Sequence, residues 1–273
     1  HRDLHSFPTR RSSDLFGTSS AADVAILHSS STFFVHSGGF LSTKVGNTAV
    51  WGAAGILWQG GWAFDVVSEH ALPGLIDRYR LVILANQTHL DATTLALLRR
   101  FVERGGKLLV AGRSGLADGT TQPLAELLGI EPQAVLDPAG SLCVPADPAV
   151  LGETDKPYGA DAFVLSMAVE CVGVTPAGCE VVVGRMSATT TAAHDNAGPI
   201  GWLWRGHGLA EDRSRPVLTR NGAGAGEAWY LAADAFAHYA FTKFYGAKNL
   251  VLSWLDRILP DPAARARGSL PVE

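Results

Sequence analysis

The stretch LDATTLALLRRFVERGGKLLVAGRSG, residues 90–115, combines a helix pattern with the strand pattern that follows it. Leu95, Leu98 and Val102 recur at i, i+3 and i+7, which predicts a helix with one apolar face. Asp91 stands before this pattern as a candidate N-cap, and a Gly-Gly pair follows it as a stop. The next residues, KLLVAG, predict a strand. The stretch therefore predicts one α/β unit.

The same alternation of strands and helices surrounds this unit. Three short runs rich in apolar residues predict strands: DVAILH (23–28), AFDVVSE (63–69) and RLVILAN (80–86). Helices are predicted at TAVWGAAGILWQGG (48–61) and QPLAELLGI (122–130), with a short helical turn at LPGLIDRY. Strands that alternate with helices of this length are joined by crossovers in a parallel sheet. The sequence therefore predicts an α/β fold of three layers with a mostly parallel, doubly wound sheet.

The second half of the chain has a different texture. Short alternating runs separated by proline and glycine predict a β-rich insertion at about 131–215. The glycine run NGAGAG (221–226) lies between two further strand patterns, RPVLTRN and EAWYLAAD. The amphipathic run YGAKNLVLSWLDRIL (245–259), closed by a proline, predicts the last helix. We therefore expect one folded domain over residues 16–260.

The two ends of the chain have other interpretations. Residues 1–15 contain SFPTRRSSDL and lack an initiator Met. This stretch resembles translated sequencing-adapter DNA, so we interpret it as an artefact; a basic arm or a transit peptide is the alternative. Residues 261–273 are predicted to begin a linker to a further domain. Both interpretations lead us to expect that the domain belongs to a longer polypeptide.

Composition limits the classes of partner. The chain has 273 residues, of which 47% are hydrophobic and 18% charged, and its net charge is −4. This balance argues against binding to nucleic acid or to an anionic membrane, and no apolar run approaches the roughly 20 residues that span a bilayer. Cys143, Cys171 and Cys179 have no paired spacing, which favours reduced thiols without a metal site. We expect a cytoplasmic protein without metal or cofactor.

Two glycine motifs are candidates for chemistry. GAGAG resembles part of a dinucleotide fingerprint, but a β run follows it, so a hairpin turn is favoured. Gly112-Arg113-Ser114-Gly115 follows a strand, as a nucleophile elbow does, although the second glycine of G-x-S-x-G is missing. A hydrolase would need His238 as base and Asp234 as its orienting carboxylate. The alternatives for Ser114 are a ligand-facing position or a role in forming the turn.

Several polar and aromatic residues could serve a ligand site. His28 and His36 lie just past the first strand, at the edge where open α/β sheets bind ligands, and Arg113 follows a later strand. Together with Ser114, His28 and Arg113 are the ligand-binding candidates; the alternative is an ordinary solvated loop. A second set in the insertion has no metal-ligand spacing and is predicted to lie at the surface: His194, Asp195 and His207. The seven tryptophans favour core packing or a subunit interface over sugar stacking.

Several of these phrases together resemble a known family. DVAILHSSSTFF, WAFDVVSEHAL, the run from YRLVILANQTHL to LLVAGRSGLADG, and the closing RPVLTRNGAGAGEAWYLAADAFAHYAF are similar to the β-galactosidase trimerisation domain of family 42 glycoside hydrolases. The resemblance implies a class I glutamine-amidotransferase-like, flavodoxin-like fold. It also implies a place after a catalytic (β/α)₈ barrel that carries the catalytic carboxylates, and a homo-oligomer formed through this domain.

The family comparison also bears on catalysis. True amidotransferases have a Cys in G-x-C-x-G at the elbow and a later His-x-Glu, whereas this chain has Ser114 at the corresponding turn and no His-x-Glu. The resemblance therefore implies a noncatalytic accessory and oligomerisation domain. Two alternatives remain: a small hydrolase that uses Ser114 and His238, and a carbohydrate-binding module with its site near His28 and Arg113.

Overall fold

The computed structural model describes most of the α/β part of the chain. It describes residues 19–37, 47–116, 124–136, 141–144, 165–167, 171–183, 185–188, 216–243 and 245–266. The predicted insertion is described only in part, and His194, Asp195 and His207 lie outside the described residues.

Twelve strands are present in the described part of the chain. In order they are β1 (Val24–His28), β2 (Phe64–Ser68), β3 (Leu81–Ala85), β4 (Lys107–Ala111), β5 (Ile130–Leu136), β6 (Ser141–Val144), β7 (Leu165–Met167), β8 (Cys171–Pro176), β9 (Glu180–Val183), β10 (Arg185–Ala188), β11 (Leu218–Ala223) and β12 (Gly226–Leu231).

Helices connect the strands of the first half, and two more follow β12. They are α1 (Ser30–His36), α2 (Thr48–Gln59), α3 (Leu72–Leu75) with a 3₁₀ turn (Ile76–Arg78), α4 (Ala92–Glu103), α5 (Ala125–Leu128), α6 (Ala235–Thr242) and α7 (Tyr245–Ile258). Asp91 caps α4, since its Oδ1 accepts a hydrogen bond of 2.6 Å from the Thr94 amide.

The main sheet has seven strands in the order β2-β1-β3-β4-β12-β11-β9. The first five are parallel, and β11 pairs antiparallel with both β12 and β9. Every residue of β3 is buried, so both faces of the sheet are covered at its centre. The predicted α/β class with a mostly parallel sheet is confirmed. The remaining strands form two small sheets, β10-β6-β7 and β5-β8.

The glycine run at residues 221–226 forms the hairpin that joins β11 to β12. Gly224 has φ +63°, and a Cβ there would lie 2.5 Å from the carbonyl oxygen of Glu103. The hairpin is therefore packed against the end of α4, and no helix follows the glycines as a dinucleotide site requires.

The helix predicted at 122–130 was wrong in its extent. Only one turn forms in the described residues, α5, because Gly129 takes a left-handed φ of +64° and Ile130 already begins β5. The Gly-Ile pair therefore ends the helix and starts a strand.

Candidate functional site

The carboxyl ends of β1 and β3 meet at the point where the sheet changes its direction of winding. Strand β1 lies between β2 on one side and β3 on the other, so the loops that leave β1 and β3 diverge from the same edge. Open α/β sheets bind ligands in the crevice that forms at such a point. This edge is therefore the candidate functional site.

The side chain of Gln87, which follows β3, lies between the loops that leave β1 and β3. Its Oε1 accepts a hydrogen bond of 2.7 Å from the Ser29 amide at the end of β1, and its Nε2 donates to the Ala85 carbonyl at 2.8 Å. The Ser29 hydroxyl donates to the His89 carbonyl at 2.7 Å. Gln87 is 2% exposed and Ser29 is 1% exposed. These bonds join the two diverging loops through buried groups.

The turn after β4 has the outline of an elbow without its nucleophile. In such an elbow the nucleophile sits on a sharp turn where the strand ends. Here the first residue past β4 is Gly112, with φ +60° and no side chain. A Cβ at this position would lie 3.1 Å from Asn86 Oδ1, and the Tyr230 hydroxyl donates to the Gly112 carbonyl at 2.9 Å. The elbow position is thus packed against its neighbours and supplies no reactive group.

Ser114, two residues further on, is turned into the protein. It is 0% exposed, and its Oγ accepts a hydrogen bond of 2.7 Å from the Gln87 amide. The same hydroxyl lies 2.8 Å from the Ala111 carbonyl and 3.0 Å from the Leu84 carbonyl, to which it donates. These are backbone partners, so Ser114 fastens the β4 turn to the β3 loop. This is the turn-forming role that the sequence left open.

The other two residues of the hypothetical triad lie at α6. Asp234 is its N-cap, with Oδ1 accepting from the Ala237 amide at 3.0 Å. His238 is 5% exposed, and burial lowers the pKa of its imidazole, which favours the neutral ring. Within the described residues its Nδ1 has no hydrogen-bond partner, and the hydrogen bonds of the Ser114 hydroxyl go to backbone atoms instead of to His238. The structure therefore does not join Ser114 and His238 into a hydrogen-bonded pair.

The remaining ligand candidates do lie at the carboxyl edge. His28 ends β1, with its ring centroid 5.8 Å from that of Phe33. Arg113 follows β4, and its backbone N–H donates to Asn86 Oδ1 at 3.0 Å. His36, at the end of α1, has its Nε2 2.8 Å from Thr88 Oγ1. All three residues therefore lie at the carboxyl edge, where the sequence predicts a ligand site.

Three residues of this edge were missed from the sequence. Thr88 Oγ1 is also 2.8 Å from His89 Nδ1, so one hydroxyl joins two imidazoles. Because a hydroxyl has one proton, it can donate to at most one of the two rings. Both oxygens of Glu69, after β2, accept from the Ser30 amide at 2.8 and 2.9 Å. The polar run that follows β3 in the sequence was the available signal for Thr88 and His89.

The described residues show neither a metal cluster nor a membrane-spanning helix. Within the described ranges, no group of three or more His, Cys, Asp or Glu side chains is arranged to hold a metal ion. The helices described here are too short or too polar to cross a membrane.

Comparison of the sequence with protein-family models and with curated proteins gives no match. Solved structures do match the fold. The α-L-fucosidase isoenzyme 2 of Paenibacillus thiaminolyticus is 22% identical over 92% of this chain and 35% of its own, with a TM-score of 0.66. A GH42 β-galactosidase from G. stearothermophilus is 20% identical over 90% of this chain and 32% of its own, with a TM-score of 0.57. A ThuA-like protein from Bacteroides uniformis is 12% identical over 90% of this chain and 94% of its own, with a TM-score of 0.57.

These matches establish the fold of the chain. The chain spans about a third of the length of the two glycosidases and nearly the whole of the ThuA-like protein. The same α/β fold therefore occurs both inside long glycosidase chains and in a protein of about this size.

Proposed function

We propose that this chain is a noncatalytic accessory and oligomerisation domain of a glycoside hydrolase. The observation that carries the proposal is the buried Ser114 hydroxyl at the carboxyl edge. The elbow position is Gly112, the nearby Ser114 hydroxyl is 0% exposed and bonds to backbone atoms, and Gln87 joins the loops that leave β1 and β3. A hydrolase of this fold would need an exposed nucleophile next to its base at this edge.

The fold supports the finer family assignment. The order β2-β1-β3-β4, extended by the parallel strand β12, is the order of flavodoxin-like sheets. Class I glutamine amidotransferases and the β-galactosidase trimerisation domain resemble this arrangement. We therefore assign the chain to that trimerisation-domain type, with three layers and a doubly wound sheet.

The matched structures support a glycosidase as the parent. Two of them are a fucosidase and a β-galactosidase whose chains are about three times as long as the matched part. In our proposal the catalytic carboxylates belong to a (β/α)₈ barrel elsewhere in the same polypeptide, because a barrel alone takes about 250 residues.

Helix α2 supports the assembly role. Trp51 and Trp58 are 67% and 80% exposed, and their spacing of seven residues puts them on one face of the helix. Large exposed aromatic side chains are characteristic of protein interfaces. We propose that this face joins copies of the chain into a homo-oligomer.

The free thiol of Cys179 is compatible with a cytoplasmic location of the protein.

Two measurements on the purified chain test the proposal. Sedimentation velocity over a range of concentrations is expected to show an oligomer, and Trp51→Ala with Trp58→Ala is expected to convert it to a monomer. Phe34→Ala, which removes an aromatic ring of similar exposure from α1, serves as the control. Assays with p-nitrophenyl acetate, β-galactoside and α-fucoside are expected to show no turnover. A monomer at all concentrations would refute the assembly role, and turnover would refute the noncatalytic role.

A further inference from the structure

The segment that follows α7 is fastened to the opposite edge of the sheet. We name residues 260–266 the exit strap. Its backbone pairs with the segment before β2: the Ala63 amide donates to the Ala264 carbonyl at 3.1 Å, and the Ala266 amide donates to the Gly61 carbonyl at 2.7 Å. The exit strap therefore runs beside the amino ends of the strands, several residues beyond the helix that the sequence takes as the end of the domain.

Asp23, the residue before β1, connects the exit strap to the sheet. Its Oδ2 accepts from the Ala263 amide at 2.8 Å, across 240 residues of sequence, and from Arg80 Nη1 at 3.2 Å. Its own carbonyl accepts from the Arg80 amide at 2.7 Å. The Nη1 of Arg80 also donates to the carbonyl of Asp261. One carboxylate, with a side chain that is 5% exposed, thus holds the start of β1, the start of β3 and the exit strap.

A second fastening lies at the other end of the exit strap. The Arg265 guanidinium is 4.9 Å from the centroid of the Trp62 ring, its Nε donates to the Gly60 carbonyl at 3.2 Å, and it forms an ion pair with Asp256. Gly61 has φ +73°, and a Cβ there would lie 2.1 Å from the Ala266 carbonyl. The approach of the exit strap is therefore close enough to require glycine at this position.

The chain enters the domain at the same edge. Ser20 Oγ donates to Asp65 Oδ1 at 2.8 Å, and Arg78 Nη2 donates to the Ser20 carbonyl at 2.9 Å. Linkers between domains ordinarily make few such contacts. The incoming segment is instead held by Asp65 and Arg78, and the outgoing segment by Asp23 and Arg80, along the amino ends of the strands.

We infer that this domain connects to the rest of its polypeptide at the amino edge of the sheet. Asp23 is the positioning residue that holds the exit strap beside the incoming chain. The flanking parts of the same polypeptide, which the proposed function requires, would then leave from one edge in a fixed relation to each other. The carboxyl edge would point away from them. Asp23 Oδ1 is buried without a hydrogen-bond partner in the described residues, so Oδ2 alone makes the described side-chain contacts.

Hydrogen exchange followed by mass spectrometry on the whole chain tests the positioning role. The amides of Ala263 and Ala266 are expected to exchange slowly in the unsubstituted chain. Asp23→Asn weakens a hydrogen bond to a charged group in a buried setting, so exchange in peptides of the exit strap is expected to become about tenfold faster. Asp77→Asn is the matched control, because Asp77 pairs with Arg104 at the surface and does not touch the exit strap. It is expected to leave that exchange unchanged.

A second variant distinguishes local loosening of the exit strap from general destabilisation of the fold. Arg265→Gln removes the ion pair and the ring contact at the far end of the exit strap, and it is expected to speed exchange there while β3 stays protected. The inference is overturned if the amides of the exit strap exchange within seconds in the unsubstituted chain, or if Asp23→Asn and Asp77→Asn behave alike. Because this readout depends neither on activity nor on oligomeric state, its failure can be told apart from a failure of the proposed function.

Discussion

Replacing Ser114 with alanine is expected to destabilise the fold without removing any activity. The Ser114 hydroxyl is the acceptor for the amide of Gln87, which is 2% exposed and would be left buried without a partner. An unsatisfied buried donor costs about 1–3 kcal/mol. The Ala111 carbonyl also accepts from the Asn86 amide at 3.3 Å, so it keeps a partner in the variant. The loss in the free energy of unfolding should therefore be about 2 kcal/mol and come mainly from Gln87.

Urea denaturation followed by circular dichroism measures this loss directly. For a domain of this size, about 2 kcal/mol corresponds to a fall in Tm of roughly 4–8 °C. Ser20→Ala is the control, because Ser20 lies at the surface, where a lost hydroxyl changes stability by less than about 0.5 kcal/mol. The reasoning is refuted if Ser114→Ala unfolds like the unsubstituted chain, and refuted more strongly if that variant loses an esterase or amidase activity that the chain had.

The remaining predictions concern α6. Gly52→Ala on α2 is expected to lower the free energy of unfolding by about 3 kcal/mol or more, because the new Cβ would lie 1.8 Å from the Phe236 carbonyl of α6. Gly74→Ala is the control, because a Cβ there has nothing within 4 Å and should be neutral or slightly stabilising. The midpoints of urea denaturation of the two variants test this expectation. Burial holds the pKa of His238 below its unfolded value of about 6.5. As the pH falls below about 6.5, only the unfolded state takes up this proton. The free energy of unfolding should therefore fall by up to about 1.4 kcal/mol per pH unit until the pKa of the folded state is reached. Urea denaturation between pH 7 and pH 5 should show a smaller decline for His238→Gln.

The local elements followed from the sequence because their signals are local. Asp91 caps α4 as its position before the apolar pattern predicts, and the glycine run at 221–226 turns between two strands. The helix at 122–130 failed because its apolar residues fit both a helix and a strand, and Gly129 decided between them through its left-handed backbone.

The contacts that define the candidate site could not be predicted in the same way. Gln87 joins two loops by bonding to Ser29, 58 residues away in sequence, and nothing in the sequence around Gln87 indicates that partner. The exit strap poses the same problem over a longer distance, because its proline-rich start is typical of a linker while its hold on the domain comes from Asp23, 240 residues earlier. Long-range polar pairs leave no periodic pattern, so they become visible only when the fold brings them together.

The backbone strain at the carboxyl edge differs from the strain of a catalytic elbow. Catalytic elbows store strain at a residue whose side chain reacts. Here the left-handed conformation after β4 falls on Gly112, where it costs little. The left-handed residue after β3 is Asn86, with φ +53°, and its side chain is engaged with the Arg113 amide. Asparagine tolerates this conformation better than most residues. In the described residues of this edge, the two left-handed positions that follow β3 and β4 therefore carry no exposed reactive group, which agrees with the proposed noncatalytic role.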